Sequence, residues 1–272
     1  MISSKGIIPT NSLSVLSNKT ILITRPVHQA QNLARLLELA GAETLFQPAI
    51  EILPPEDWGP LDRVLDRLDH FDYLVFSSVN GVDFFFQRWA ETRQKAFAFS
   101  EIRFAAIGSS TAEALKAKGV TSVLAPESFR AEELADALVA DMNATISNHR
   151  PRFLLLRASR GREVLAETLR DANADVEQVV VYQSVDVKQA KPDVLEKLRK
   201  GKIDWVLLTS SSIAASTANM LGDDLRSVKI ATISPVTSAV VRKLGFEVAL
   251  EAKEFTMEGI VKALIEETEA KR

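Results

Sequence analysis

The sequence predicts an α/β protein made of two similar halves, each a mostly parallel sheet covered by helices. Three observations carry this. FDYLVFSSVNG from Phe71 returns as IDWVLLTSSSI from Ile203, 132 positions later, and each reads as strand, polar turn and helix. The echo extends further: Ile21–Arg25 (ILITR) aligns with Phe153–Arg157 (FLLLR), and RFAAIGSSTAEALKAKGV from Arg103 aligns with KIATISPVTSAVVRKLGF from Lys229. Ser128-Phe129-Arg130-Ala131-Glu132 likewise matches Glu254-Phe255-Thr256-Met257-Glu258. Finally, strands alternate with helices of about ten residues, the pattern of parallel sheets covered on both faces. A period this long duplicates a domain and does not build a solenoid.

The first unit runs from Thr20 to Thr24, turns at Arg25-Pro26, and continues as a helix through Leu33, Leu36, Leu37 and Ala40, which Gly41 closes. Thr44–Leu53 is extended but interrupted by Pro48, so it suits an edge strand or a connector. A helix is expected over Asp57–Leu68, a strand over Tyr73–Phe76 and a helix over Gly81–Trp89. Phe104–Ile107 is a strand stopped by Gly108, with cap-forming Ser109, Ser110 and Thr111 opening the next helix, to Lys118. Val123–Ala125 reads as a strand, Glu132–Met142 as a helix, and Asn143–Pro151 as a loop. Phe153–Leu156 resumes the sheet, Glu163–Asp171 gives a helix, and Val176–Val187 is a second long extended segment. Helices over Pro192–Lys200, Ile213–Leu221 and Glu258–Glu267 accompany the remaining echoed units.

Composition narrows the function. A length of 272 residues, with 46% hydrophobic and 25% charged content, suits two ordinary globular domains. The net charge of −3 and the scattered Lys and Arg lack the electrostatic footprint of a nucleic-acid binder. Without cysteine there are no disulfides, thiol nucleophiles or cysteine metal sites, as is usual in the cytosol. No apolar run approaches the roughly 20 residues of a membrane span. The first 19 residues, rich in Ser and Asn, read as a flexible leader. Neither a dinucleotide fingerprint nor a Walker loop occurs, and His28, His70 and His149 have no spacing that links them to a metal or a triad. No cofactor is expected.

In open parallel sheets the ligand crevice lies beyond the carboxyl ends of the strands. Six turns fall there: Thr24-Arg25; Ser77 to Asn80, with Ser78; Gly108 to Thr111, with Ser109; Arg157 to Arg160; Thr209 to Ser212, with Ser210 and Ser211; and Ser234 to Thr237, with Pro235. Hydroxyls and free N–H groups at helix starts favour anions, so a cleft ringed by such turns would suit a ligand with many carboxylates or phosphates. The plainer reading is that these hydroxyls only cap their helices. Arg25 and Arg157, at equivalent strand ends, could add charge-assisted bonds or be ordinary solvated arginines. Tyr73 lies in an apolar strand and reads as core. Tyr182, in the long extended segment, either faces the crevice or packs as a connector residue.

RPVHQAQNLARLLELAGAETLFQP, FSSVNGVDFF, AIGSSTAEALKAKG, LLRASRGREVLAETL, VYQS and EFTMEGIVKAL, in that order, resemble the uroporphyrinogen-III synthase family over about Thr20 to Leu264. The resemblance implies a cytoplasmic, cofactor-free enzyme of porphyrin and heme biosynthesis. Its substrate would be hydroxymethylbilane, closed to uroporphyrinogen III with loss of water and inversion of the final ring. That substrate carries eight carboxylates. The resemblance also implies two flavodoxin-like lobes joined by a two-stranded β connector. The first lobe would combine residues 1–48 with 183–272, the second would hold 54–178, and the connecting strands would be 44–53 and 176–187. The repeat taken alone would instead divide the chain in tandem near Arg150. By resemblance Tyr182 is the catalytic acid, the upstream hydroxymethylbilane synthase is a partner, and the protein is a monomer. Two turns depart from the family pattern: Ile233-Ser234-Pro235, where glycine commonly precedes the proline, and Ala158-Ser159-Arg160, in a turn that is often glycine-rich. The alternative function is a non-catalytic two-lobed binding or sensor module for a polyanionic small molecule.

Overall fold

The computed structural model describes residues 15–93, 102–126, 131–146, 148–161 and 163–271. The repeat residues Ser128, Phe129 and Arg130 and most of the N-terminal leader lie outside that set. In chain order the first part of the protein contains β1 (Thr20–Ile23), α1 (Val27–Leu39), β2 (Glu43–Phe46), β3 (Ile50–Leu53), α2 (Gly59–Leu65), β4 (Tyr73–Phe76) and α3 (Val79–Thr92). Next come β5 (Arg103–Ala106), α4 (Ser109–Ala117), β6 (Val123–Leu124), α5 (Ala131–Thr145), β7 (Arg152–Ala158), α6 (Val164–Asp171) and β8 (Asp175–Asp186). The chain ends with α7 (Pro192–Arg199), β9 (Trp205–Leu208), α8 (Ser211–Leu221), β10 (Lys229–Thr232), α9 (Pro235–Lys243), β11 (Leu250–Glu251) and α10 (Met257–Glu269).

The chain forms two compact units: unit 1 is Met1–Glu51 with Val185–Arg272, and unit 2 is Ile52–Ser184. Unit 1 has a five-stranded sheet in the order β11-β10-β9-β1-β2, and the other sheet runs β3-β8-β7-β4-β5-β6. Read from β2, the first order is second, first, third, fourth and fifth strand, the flavodoxin-like arrangement. The second sheet has the same arrangement with β7 in the place of β1 and β8 in the place of β2. The duplicated segments thus occupy equivalent sheet positions, but unit 2 reaches its β1 and β2 equivalents, β7 and β8, last. Each sheet reverses its direction of progression at one point, between β1 and β9 in unit 1 and between β7 and β4 in unit 2.

Strand periodicity sorts the cores. In β4, Leu74 and Phe76 pack with Phe104, Leu154, Leu156, Val82 and Phe85 on one face, while Tyr73 and Val75 pack with Phe153, Leu138 and Leu169 on the other. Burial on both faces makes β4 apolar at every position. In unit 1, Ile21, Ile23, Trp205 and Leu207 meet Leu33 and Leu37 of α1 and Ile260 and Leu264 of α10.

The two echoed acids have one shared task. Asp204 accepts the backbone N–H of Thr20 at 2.9 Å and the Lys19 ammonium at 2.8 Å. Its equivalent, Asp72, accepts the N–H of Arg152 at 2.8 Å and lies 2.9 Å from His149 Nε2. Each carboxylate stands just before one strand and satisfies the first N–H of its neighbour, which would otherwise open the ladder unpaired. In this way it fixes the register in which Ile21 faces Trp205 and Tyr73 faces Phe153.

Several boundaries differ from the sequence expectation. The helix expected over Asp57–Leu68 is α2 followed by a separate 3-10 turn at Leu68–His70. The Asp57 carboxylate takes the Gly59 N–H at 2.7 Å and delays the start, and Arg67 leaves helical geometry at φ −140°. The expected loop over Asn143–Pro151 begins late, because α5 continues to Thr145, whose hydroxyl donates back to the Asp141 carbonyl at 2.7 Å. Pro48 divides Thr44–Leu53 into β2 and β3, each at a sheet edge.

Asp204→Ala should destabilise the protein by about 1.5–3 kcal/mol, the usual cost of removing a charged hydrogen-bond acceptor, measured by urea unfolding. Tyr73 is fully buried and donates to Asp141 at 2.5 Å, and burial, then that bond, push its phenol up to about 12. A group raised in the folded state contributes stability below its unfolded pKa of about 10, and that contribution is lost as pH climbs to about 12. The stability difference between wild type and Tyr73→Phe should therefore shrink over that window; a difference that is flat with pH would refute the account.

Candidate functional site

Register places the candidate residues at the carboxyl ends of the strands. In unit 1, Ile23 of β1 faces Leu207 of β9, so Arg25 emerges opposite Thr209, and the Arg25 guanidinium donates to the Thr209 hydroxyl at 3.1 Å. In unit 2, Phe76 faces Leu156, so Arg157 emerges beside Ser77. Both pairs stand where their sheet reverses, the position at which α/β sheets open a crevice.

The hydroxyls divide by task. Thr24 is fully buried and its hydroxyl donates to the Leu207 carbonyl at 2.6 Å, so it ties β1 to β9 and presents nothing to a ligand. Ser78 Oγ accepts the Gly81 N–H at 3.1 Å, Ser210 Oγ accepts that of Ile213 at 3.2 Å, and Ser234 Oγ accepts that of Thr237 at 3.4 Å. These serines are helix caps, as the plainer reading of the sequence holds. Each cap uses the oxygen as acceptor and leaves the hydroxyl proton to another partner. Ser210 also lies 3.1 Å from Ser212, and Thr237, nearly fully buried, lies 3.2 Å from Ser234. Ser77, Ser109 and Pro235 are exposed, and Asn80 and Ser211 are half-buried.

Helix α4 lacks such a cap, as do α1 and α6: its N-cap residue is Gly108, at φ 81°, which makes no side-chain cap bond. A Cβ there would be strained in that left-handed region. The equivalent position in unit 1 is Ser234, which does cap. Thr111 is buried within the first turn of α4.

The two arginines differ in how their charge is answered. Arg157 donates to the carboxylate of Glu163, to Gln178 Oε1 at 2.6 Å and to the Gly161 carbonyl at 3.1 Å. Among the described residues Arg25 meets neutral groups: besides Thr209 there is Gln29 Oε1 at 3.4 Å, and its Nε is buried without a partner there. Burial lowers its pKa from the ordinary arginine value. A guanidinium remains charged under any such shift, so Arg25 is a partly desolvated cation with no carboxylate bonded to it among the described residues.

Tyr182 is only 7% exposed and belongs to the unit 2 core, stacked on Phe84 at 6.0 Å between centroids. Its hydroxyl lies 2.9 Å from Ser78 Oγ, so it meets the crevice end of β4 through that serine. The packed reading of this tyrosine is the one the structure shows, with its hydroxyl bonded to the Ser78 cap. Sequence reasoning missed Glu163 and Gln178, which the alternation along β8 and the turn after β7 bring to Arg157; an acid six residues beyond Arg157 was the available signal. Among the described residues no group of three or more His, Cys, Asp and Glu side chains is placed to hold a metal, and no helix is long and apolar enough to cross a membrane.

Comparison with known proteins agrees with this architecture. The family model described as uroporphyrinogen-III synthase HemD matches residues 31–262. The uroporphyrinogen-III synthase of Synechococcus elongatus is 31% identical over 257 residues, covering 92% of this chain and 95% of that protein. The Chlorobaculum parvum protein of the same name is 30% identical, covering 91% and 98%. Among solved structures, a mutant uroporphyrinogen III synthase from Thermus thermophilus superposes with a TM-score of 0.63 at 14% identity, covering 93% of this chain and all of that one. The Helicobacter pylori uroporphyrinogen-III synthetase gives 0.59 at 19% identity, covering 91% and 99%, and both support the fold. With a family model spanning most of its length and near-complete relatives at this identity, the chain belongs to the uroporphyrinogen-III synthase family.

Proposed function

We propose that this protein closes hydroxymethylbilane to uroporphyrinogen III, releasing water and inverting the final pyrrole ring. Family membership supplies the reaction class. The observation that carries the site assignment is Arg25, a partly desolvated guanidinium with neutral partners and an unpartnered Nε at a sheet reversal. Such a cation is stabilised by a ligand carboxylate, and the substrate offers several. The uncapped first turn at Gly108, Ser109 and Thr111, and the hydroxyls of Ser77, Ser78, Ser210, Ser211 and Thr237, are hydrogen-bond donors for the others, with Asn80 and Pro235 shaping their turns. This reading carries with it a cytoplasmic location, a monomeric state and delivery by the upstream hydroxymethylbilane synthase.

Chemically, the substrate hydroxyl must leave with a proton as water. Its departure generates an azafulvene cation, the terminal pyrrole attacks through its substituted carbon, and the spiro intermediate fragments and recloses with that ring inverted. A proton donor assists only the departure. Tyr182 is positioned to give that proton through Ser78, whose oxygen lies 2.9 Å away and already accepts the Gly81 N–H. A phenol is protonated at neutral pH, and a positioned general acid is typically worth about 10²- to 10⁴-fold. Selection of the isomer comes from holding the bilane in the spiro-forming conformation.

Purified protein supplied with hydroxymethylbilane should yield isomer III, separated by chromatography from the isomer I of uncatalysed closure. Isomer I alone would leave a binding module as the reading. Tyr182→Phe should fold, turn over more slowly by at most that general-acid factor, and still make isomer III. An unchanged rate would leave Tyr182 as a packing residue that supports the Ser78 cap.

A further inference from the structure

A small cavity of about 80 Å³ lies at the sheet reversal of unit 2. Its lining is mostly apolar, from Val75, Ile107, Leu155 and Leu165, with Ser77, Arg157, Arg160 and Gln178 among the other residues that border it. An apolar cavity bordered by two arginine residues suits a short aliphatic arm that ends in a carboxylate. Both arginines, however, are already engaged: Arg160 Nε donates to the Ser184 carbonyl. Arg157 is bound to the Glu163 carboxylate, which does not itself line the cavity, and Gln178 bridges the pair by accepting from Arg157 at 2.6 Å and donating to Glu163 at 2.7 Å.

We infer that this cavity is a subsite for one acidic side arm of the ligand, and that Glu163 is an internal competitor for Arg157 which the ligand carboxylate must displace or share. The inference rests on the proposed polycarboxylate substrate. It draws its force from the duplication, because Arg25 occupies the equivalent place in unit 1 and, among the described residues, bonds to the neutral Thr209 and Gln29. The same strand position thus carries an answered cation in one unit and an unanswered one in the other. Hydrogen bonds from Gln178 and Arg157 hold the Glu163 carboxyl below the usual range, so at neutral pH it is fully ionised and competes as an anion. Its side chain is 47% exposed against 17% for Arg157, so the carboxylate can swing to solvent while the arginine stays in place. Glu163 is a specificity-setting residue on this account, and it makes unit 2 accept an acidic arm less readily than unit 1.

The test uses the full chain and uroporphyrin III, the stable oxidised form of the expected product, which carries the same carboxylates and is not turned over. Binding is followed by porphyrin fluorescence for wild type, Glu163→Gln, Arg157→Gln and the double variant, with thermal unfolding of each. Glu163→Gln should tighten binding by about two- to fivefold, the scale of releasing one partly exposed ion pair. Arg157→Gln should weaken it, and in the Arg157→Gln background Glu163→Gln should give no tightening. Arg157→Lys replaces Arg157→Gln if the latter does not fold. Unchanged or weaker binding in Glu163→Gln, with a lowered melting temperature, would make the pair a structural tie and overturn the inference. Equal tightening in both backgrounds would reduce it to general charge repulsion and overturn it too. Absence of uroporphyrin binding in wild type would remove the subsite. Failure to make isomer III with binding intact would instead remove only the reaction.

Discussion

The carboxylate that precedes the middle strand of each unit is the constraint on which the site depends. Asp204 and Asp72 sit at the amino ends of β9 and β4, far from the reactive turns, and each satisfies the first N–H of the neighbouring strand. Because strand side chains alternate between faces, a slip of one residue would send every inward residue outward. The register set at Thr20 and Asp204 is the one that, five residues later along each strand, brings Arg25 to Thr209. In unit 2 the register set at Arg152 and Asp72 brings Arg157 beside Ser77. Geometry at one end of the sheet is thus fixed by electrostatics at the other.

At the reactive ends, the helix caps and the charged groups play separate parts. Serines that close helix starts are internally satisfied as acceptors, which makes the turns rigid and leaves only their protons to spare. On the proposed function, recognition of a highly charged ligand then falls on backbone amides and the arginines. A rigid frame with few committed charges suits a reaction whose outcome depends on how a flexible chain is folded, since positioning contributes more there than any single chemical group.

Much of the fold was legible in the sequence. The strand, turn and helix echo identified the strands of both sheets, and Pro48 marked the break that makes β2 and β3 edge strands. The candidate turns were legible for the same reason, since hydroxyls following an apolar run must fall at a carboxyl end. What sequence could not give was the use of each group. Thr24 and Ser77 look alike in the chain, yet one is spent on the Leu207 carbonyl and the other is exposed, because only sheet pairing decides which face is covered. Arg25 and Arg157 were equivalent by alignment, and the difference between them lies in Gln29 and Glu163, local neighbours whose reach depends on how each turn closes. The permuted strand order of unit 2 was likewise accessible only through the family resemblance, since periodicity carries no information about which strands adjoin.

That permutation has a consequence for how the polypeptide acquires its structure during synthesis. Unit 2 is continuous from Ile52 to Ser184, so all of its strands are synthesised before the second segment of unit 1 begins. Strands β1 and β2, made first, must wait for β9, since Ile21 pairs with Trp205. Unassisted, closing so long a loop is slow and leaves apolar strands exposed. The two strands through which the chain enters and leaves unit 2, β3 and β8, are neighbours in one sheet. Once folded, unit 2 therefore presents its two ends side by side and shortens the loop that unit 1 must close. The inserted unit acts as a scaffold for the one interrupted by it, and a lesion in unit 2 that delays its folding will appear first as aggregation of the unit 1 strands.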